Sequence, residues 1–219
     1  MPNTTAPLPS TDRYAILSPM LRLLAERGVV KQFRKGQRFI EEGDNGDTLY
    51  IITKGRLRAY ARGDSGREIT YGTYGPGEYI GEMSLDGGLR SAHVEALEAA
   101  ECVQITRHTL LLHIREHPEF ALELISKVIR RARAATLSAK QMALNDAYGR
   151  LVSLLNSLAQ PQADGSIGIV ERLTHQEIAN RLGCSREMVS RLMKDLERGG
   201  YVSASPGLLR IVKALPSRW

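Results

Sequence analysis

Two short stretches carry side chains whose types and spacing suit chemistry. The first is Gly81-Glu82 followed by Arg90-Ser91. A guanidinium offers a fork of donors matched to a phosphate, and Ser91 adds a hydroxyl and a backbone N–H. Exposed N–H groups around Gly81 would complete an anion cradle. Glu82 supplies an acceptor suited to a ribose hydroxyl. Together they describe a pocket for a phosphate joined to a sugar, although the same residues also suit a surface Arg–Glu pair flanking a hairpin.

The second stretch runs from 173 to 198. Thr174 with Glu177 forms a capping box that opens one short helix, whose apolar face is Ile178, Ala179 and Leu182. Gly183 supplies a turn, and Ser185 N-caps a second helix with a buried stripe of Val189, Leu192, Met193 and Leu196. Arg186, Glu187, Ser190 and Arg191 remain on the outer face. A short exposed helix presenting arginines and a glutamate is the form in which a helix-turn-helix reads base edges. The bland alternative is a helical hairpin with a solvated, charged face.

Catalysis finds no support. Titratable residues are scattered, and neither a metal cluster nor a base–nucleophile pair is apparent. His93 and His108 read as isolated surface or strand residues. The two cysteines, Cys102 and Cys184, stand in unrelated contexts, which argues against a disulfide framework and for a cytoplasmic location. The 219 residues suffice for one large or two small domains, and a net charge of +6 weakly favours an acidic partner such as nucleic acid. No apolar run approaches the ~20 residues of a membrane span. The first ten residues lack the charged start and apolar core of a signal peptide, and their prolines suggest a disordered lead-in.

The elements that must position these groups follow from texture. A short amphipathic helix is expected over 18–27, with Met20, Leu21, Leu23 and Leu24 apolar. Short β-branched or aromatic segments at 29–33, 48–53, 56–60, 68–74 and 92–97 alternate with glycine-rich corners, which predicts an antiparallel β-roll. From 117 to 145 the chain reads as one long helix. Leu122, Ile125, Ile129, Ala132, Thr136, Ala139 and Ala143 step by three and four, a heptad seam that favours a partner helix. A second stripe, Leu124, Val128 and Leu137, is placed against the roll. Residues 201–204 and 208–212 read as a small hairpin wing around Pro206-Gly207, and 160–166 as an exposed turn.

In this order of parts the chain resembles the cyclic AMP receptor protein / fumarate-nitrate regulator (CRP/FNR) family of bacterial transcription factors. Gly43-Asp44 and the runs 50–55 and 77–82 resemble the family's roll signature. Gly81-Glu82 followed by Arg90-Ser91 is similar to the phosphate-binding cassette of cyclic-nucleotide receptors. The resemblance implies an α+β fold with a cyclic-nucleotide-binding β-roll at 1–116, a dimerisation helix at 117–145 and a winged helix-turn-helix at 146–219. It implies cyclic AMP as effector, with Glu82 on the ribose 2′-hydroxyl and Arg90 and Ser91 on the cyclic phosphate. Two successive polar residues of the long helix contact adenine in such receptors. Anchored on 145–150, which looks like the family hinge, they fall on Ala135, a departure, and on Thr136. Arg131 is placed near the ligand or the dimer interface.

Other effectors are weighed by what is missing. Iron–sulfur sensors need more cysteines, and haem sensors carry Cys and His where this chain has 80–85. Relatives that bind cyclic di-GMP tend to lose the Arg-Ser pair. The expectation is therefore cyclic AMP, with no metal, haem or iron–sulfur cluster. By the same resemblance Arg186 and Arg191 would contact guanine and Glu187 cytosine, on a palindrome of TGTGA-like half-sites. Ser185, Thr174 and Gln176 would hold phosphates. The implied partners are double-stranded DNA, a second copy through 117–145, and RNA polymerase. The alternative is a family regulator that binds DNA constitutively or answers another effector such as cyclic di-GMP.

Overall fold

The computed structural model describes residues 12–64, 66–144, 146–162, 166–171, 173–205 and 208–216. The lead-in, Asn145 and Pro206-Gly207, for which a disordered start, a hinge and a wing turn were expected, lie outside the described residues. Two compact units emerge: Met1–Ala59 with Gly72–Ile125, and Tyr60–Tyr71 with Ser126–Trp219.

The chain opens with helix α1, Pro19–Ala25. Ser18, expected inside the helix, instead N-caps it by accepting from the Leu21 N–H, and Pro19 occupies the first turn, where its missing donor costs nothing. Strands β1 (Val29–Phe33), β2 (Arg38–Ile40), β3 (Thr48–Lys54), β4 (Leu57–Arg62), β5 (Glu68–Tyr74), β6 (Tyr79–Ile80), β7 (His93–Ala96) and β8 (Ala100–Thr106) follow. They form two four-stranded sheets ordered β1-β8-β3-β6 and β2-β7-β4-β5.

Strand β8 was not anticipated, yet it is central, pairing antiparallel with β1 and with β3. Its sequence hides it because both faces are buried. Cys102 turns into a core with Ile52, Leu57 and Val94, while Val103 and Ile105 turn into a core with Leu21, Leu24 and Leu49. Two-sided burial erases the period-two pattern that marks a half-exposed strand. Fully buried Leu and Ile side chains of this kind contribute about 1.5–3 kcal/mol each.

Helix α2 (Arg107–Glu116), capped by Thr106, was also missed, and buries Leu110 and His113. The long helix α3 spans Glu119–Leu144, starting two residues later than expected (119 against 117) because the chain bends at His117-Pro118. Its first turn anchors Phe120 in the core, with Leu124 packed alongside. Of the expected second stripe, Leu124 meets this core, while Val128 and Leu137 belong to the second unit and are exposed. The large apolar positions of the heptad seam face solvent, with Leu122 67%, Ile125 52% and Ile129 45% accessible.

Asp146 caps a further helix, α4 (Ala147–Leu158), by accepting from the Gly149 N–H at 2.7 Å. Strands β9 (Gln160–Pro161) and β10 (Ile167–Ile169) then pair antiparallel, and residues 163–165 of the expected exposed turn lie outside the described residues. Helices α5 (His175–Leu182) and α6 (Arg186–Arg198) follow, and β11 (Val202–Ser205) with β12 (Leu208–Ile211) completes a sheet ordered β11-β12-β10-β9. One core unites Leu151 and Leu155 of α4, Ile178 and Leu182 of α5, and Val189 and Leu196 of α6. Arg150 Nε donates to the Leu182 carbonyl at 3.1 Å, tying α4 to the end of α5.

Candidate effector site and nucleic-acid interface

Arg90 is placed by its backbone before its side chain acts. Its N–H donates to the Asp44 carbonyl at 2.8 Å and its carbonyl accepts from the Gly43 N–H at 2.9 Å. An antiparallel bridge between Asn45 and Leu89 extends this zip. The guanidinium is thereby driven inward to 8% exposure. Nη1 lies 3.0 Å from the Thr48 carbonyl, 3.0 Å from the Gly81 carbonyl and 2.8 Å from Ser84 Oγ. Nη2 donates to Thr48 Oγ1 at 2.8 Å.

Gly81 caps a 3₁₀ turn, Glu82–Ser84, at φ 90, which a side chain rarely adopts. A Cβ there would also stand 2.6 Å from the Thr48 carbonyl. Glu82, in the same turn, is 6% exposed, whereas Ser91 is exposed and donates to Met83 Sδ at 3.7 Å. Thioether sulfur is a weak acceptor that a phosphate oxygen outcompetes.

Burial lowers the Arg90 guanidinium from its ordinary value, while Tyr50, Asp47 and Glu82 favour the charge. Arginine stays protonated under such pressure, so the site holds a partly desolvated cation. An anion bearing a hydroxyl beside it fits that arrangement. Gly81, Glu82, Arg90 and Ser91 thus lie together in the first unit. Arg131 and Thr136 lie on α3 in the second; Arg131 is half-buried, and the Thr136 hydroxyl donates to the Ala132 carbonyl at 3.0 Å. Thr48 and Ser84, which hold Arg90, were missed, because a threonine opening a strand and a serine in a turn carry no distinctive spacing.

His93 opens β7, a strand residue as expected, but it is not isolated: its Nδ1 is 3.1 Å from Glu41 Oε2 and accepts from the Glu42 N–H at 3.0 Å. His108 is exposed on α2, a surface residue as expected. Burial pushes the Cys102 thiol up to about 12 and raises Cys184 too, so both stay protonated. Among the described residues no cluster of His, Cys, Asp or Glu could hold a metal ion.

In the second unit the capping box closes with Thr174 Oγ1 accepting from the Glu177 N–H and Glu177 Oε2 accepting from the Thr174 N–H. Gly183 turns the chain at φ 65, and Ser185 caps α6 by accepting from the Met188 N–H at 3.2 Å. Val189, Leu192, Met193 and Leu196 are buried, which leaves Arg186, Glu187 and Arg191 in solvent. Gln176 on α5 is exposed and donates to Asn180 Oδ1 at 2.8 Å. A link not anticipated joins the helices: His175 Nδ1 and Ser190 Oγ lie 2.9 Å apart.

Residues 30–117 match the cyclic nucleotide-binding domain, and residues 149–214 match the Crp-like helix-turn-helix domain. The cyclic AMP receptor protein of Thermus thermophilus is 34% identical over 184 residues, covering 83% of each chain. The cAMP-activated global transcriptional regulator CRP of Salmonella typhimurium is 31% identical over 200 residues, covering 90% of this chain and 92% of its own.

The chain belongs to the CRP/FNR family of transcriptional regulators.

Solved structures agree on the fold. The Thermus thermophilus catabolite activator protein superposes with a TM-score of 0.54 at 32% identity, covering 92% of this chain and 94% of its own. The c-di-GMP responsive regulator CLP of Xanthomonas campestris reaches 0.78 at 23% identity, covering 89% and 98%. As a family member, this regulator carries its cyclic-nucleotide-binding domain ahead of its DNA-binding helix-turn-helix. No described helix is long and apolar enough to cross a membrane.

Proposed function

We propose that this regulator binds cyclic AMP in its β-roll, and that binding orients the paired helix-turn-helix motifs onto a palindrome of TGTGA-like half-sites. The observation that carries the reading is Arg90: a buried guanidinium anchored on Thr48 and Gly81, beside the buried Glu82. Arg90 and Ser91 would hold the cyclic phosphate, with Gly81 giving close backbone approach, and Glu82 the ribose 2′-hydroxyl. Thr136 and Arg131 are proposed contributors from α3. The solvent-facing seam of α3 supports a homodimer. In each subunit Arg186 and Arg191 would read guanine and Glu187 cytosine, while Ser185, Thr174 and Gln176 hold phosphates. For Thr174 the hydroxyl is already engaged by Glu177, so its contribution is to present the start of α5. We place the sensor at 1–116, the dimerisation helix at 117–145 and the DNA-binding part at 146–219, with RNA polymerase as the downstream partner in the cytoplasm.

A ligand shifts DNA affinity only to the extent that it binds the DNA-competent state more tightly. Calorimetric titration with cyclic AMP, cyclic GMP and cyclic di-GMP identifies the effector, and DNA binding with and without it tests the switch. Equal DNA affinity in both conditions refutes ligand control. Arg90→Ala should abolish nucleotide binding while the chain stays folded. A second reading, constitutive DNA binding or another effector such as cyclic di-GMP, is favoured by Ala135, which offers no side-chain hydrogen bond where cyclic AMP receptors have a polar residue.

A further inference from the structure

Glu82, Met83 and Ser84 form a single 3₁₀ turn, and at three residues per turn their side chains leave it in three directions. Two of those directions are inward: Glu82 and Ser84 are buried, and Arg90 Nη1 holds the Ser84 hydroxyl there at 2.8 Å. The third carries Met83 outward, with 59% of its surface in solvent. Its sulfur accepts from Ser91 Oγ at 3.7 Å. The thioether thus rests on the hydroxyl assigned above to the phosphate, as a weak acceptor that an arriving phosphate oxygen displaces easily.

The other described methionines are placed differently. Met193 is buried, Met20 and Met188 pack against the two unit cores, and Met142 on α3 is 44% exposed in the second unit. The thiols of Cys102 and Cys184 compete poorly for an oxidant, because burial keeps both protonated. Among the described residues Met83 therefore presents the most accessible sulfur. Ser91 engages one lone pair of that sulfur, and divalent sulfur keeps a second.

We propose that Met83 is a reversible oxidation site that tunes effector binding: a peroxide converts it to the sulfoxide, whose oxygen takes the Ser91 hydroxyl from the cyclic nucleotide. The inference rests on the effector reading above. The sulfur lone pair attacks one oxygen of hydrogen peroxide, and the S–O bond forms as the O–O bond breaks. The other oxygen takes up the proton of the first and leaves as water. Sulfur gives up two electrons, and peroxide accepts them. An apolar side chain thereby becomes a polar, chiral one. A sulfoxide oxygen is a strong acceptor, so Ser91 must then break a full hydrogen bond before it can meet phosphate. Methionine sulfoxide reductases, one for each epimer, return the thioether and free the hydroxyl.

The test is calorimetric titration of the full chain with cyclic AMP before and after treatment with hydrogen peroxide, with peptide mass spectrometry locating the added oxygen. Untreated wild-type protein should bind, and protein oxidised at Met83 should bind about three- to tenfold more weakly, the loss expected for one neutral hydrogen bond. Methionine sulfoxide reductases should restore the affinity. Met83→Leu keeps an apolar side chain of similar volume and should show one affinity before and after peroxide, whereas Met142→Leu should stay as sensitive as the wild type. Ser91→Ala separates this mechanism from a general disturbance of the turn: it lacks the hydroxyl, so peroxide should weaken it no further. Unchanged affinity in wild-type protein oxidised at Met83 overturns the inference, as does an equal loss on peroxide treatment in Met83→Leu or in Ser91→Ala. Met83 left unoxidised while Met142 is oxidised overturns it too. Failure of the untreated wild type to bind any cyclic nucleotide overturns the effector reading itself, and the inference with it.

Discussion

Substituting Ile129 by Asp tests the dimer at its seam. Ile129 is 45% exposed on α3, between Ile125 at 52% and a stretch of small residues beginning with Ala132. Burying a whole isoleucine is worth about 1.5–3 kcal/mol, so covering the exposed part of this one gives about 0.7–1.4 kcal/mol per subunit. A two-fold interface presents the same patch twice, which doubles the loss to about 1.4–2.7 kcal/mol per dimer. Two aspartates facing each other across the seam add repulsion, bringing the total to about 3 kcal/mol or more, at least about a hundredfold in the dissociation constant. Sedimentation velocity over a concentration series should show the variant shifting to monomer where the wild type stays dimeric. Leu111→Asp, at a comparably exposed site on α2, is the control and should leave the association unchanged. An Ile129→Asp chain that sediments as the wild type does would refute the seam, and equal loss in the control would show a general effect of charge.

Three further outcomes are expected. Arg186→Ala should weaken binding to a TGTGA palindrome by about 1–3 kcal/mol while barely changing affinity for random DNA, as read by competition titration; a uniform loss would mean that Arg186 contacts phosphate. Thr174→Ala removes a hydroxyl that serves Glu177 both ways, and should lower unfolding stability by about 0.5–2 kcal/mol in a denaturant titration. Acid should destabilise the first unit through His113, which is 0% exposed beside Phe120. Burial first, then His117 and Arg27, hold its imidazole below the ordinary 6.5, with Glu116 pulling the other way. A lowered value means that the unfolded chain takes up the proton first, so this stability is complete above about pH 6.5 and is lost as pH falls toward the folded value. His113→Leu should flatten that slope in melts between pH 7 and pH 5, and an unchanged slope would assign it elsewhere. Glu116, lowered by Arg27, loses its contribution in a separate window below its ordinary 4.5.

What the sequence determined by itself was local. Thr174 with Glu177, Gly183 and Ser185 act within a few residues, and the stripe Val189, Leu192, Met193 and Leu196 is periodic in the chain, so the helix-turn-helix was legible complete with its caps. The cassette was legible as chemistry, since Gly81-Glu82 and Arg90-Ser91 are short motifs. How Arg90 is held was not legible. Its partner Thr48 is 42 residues away, and only strand pairing and the zip to Asp44 bring them together.

The same contrast runs through the fold. Strand β8 vanished from the pattern because both its faces are buried, a property of two cores rather than of the strand. On α3 helical periodicity marks Leu124, Val128 and Leu137 as one apolar stripe, but only tertiary packing decides what covers each of them, and Leu124 is the one that packs against the core of the first unit. Local spacing fixes helix caps and faces because the interacting groups are neighbours in the chain. How Arg90 is held depends on groups that only the folded sheets assemble.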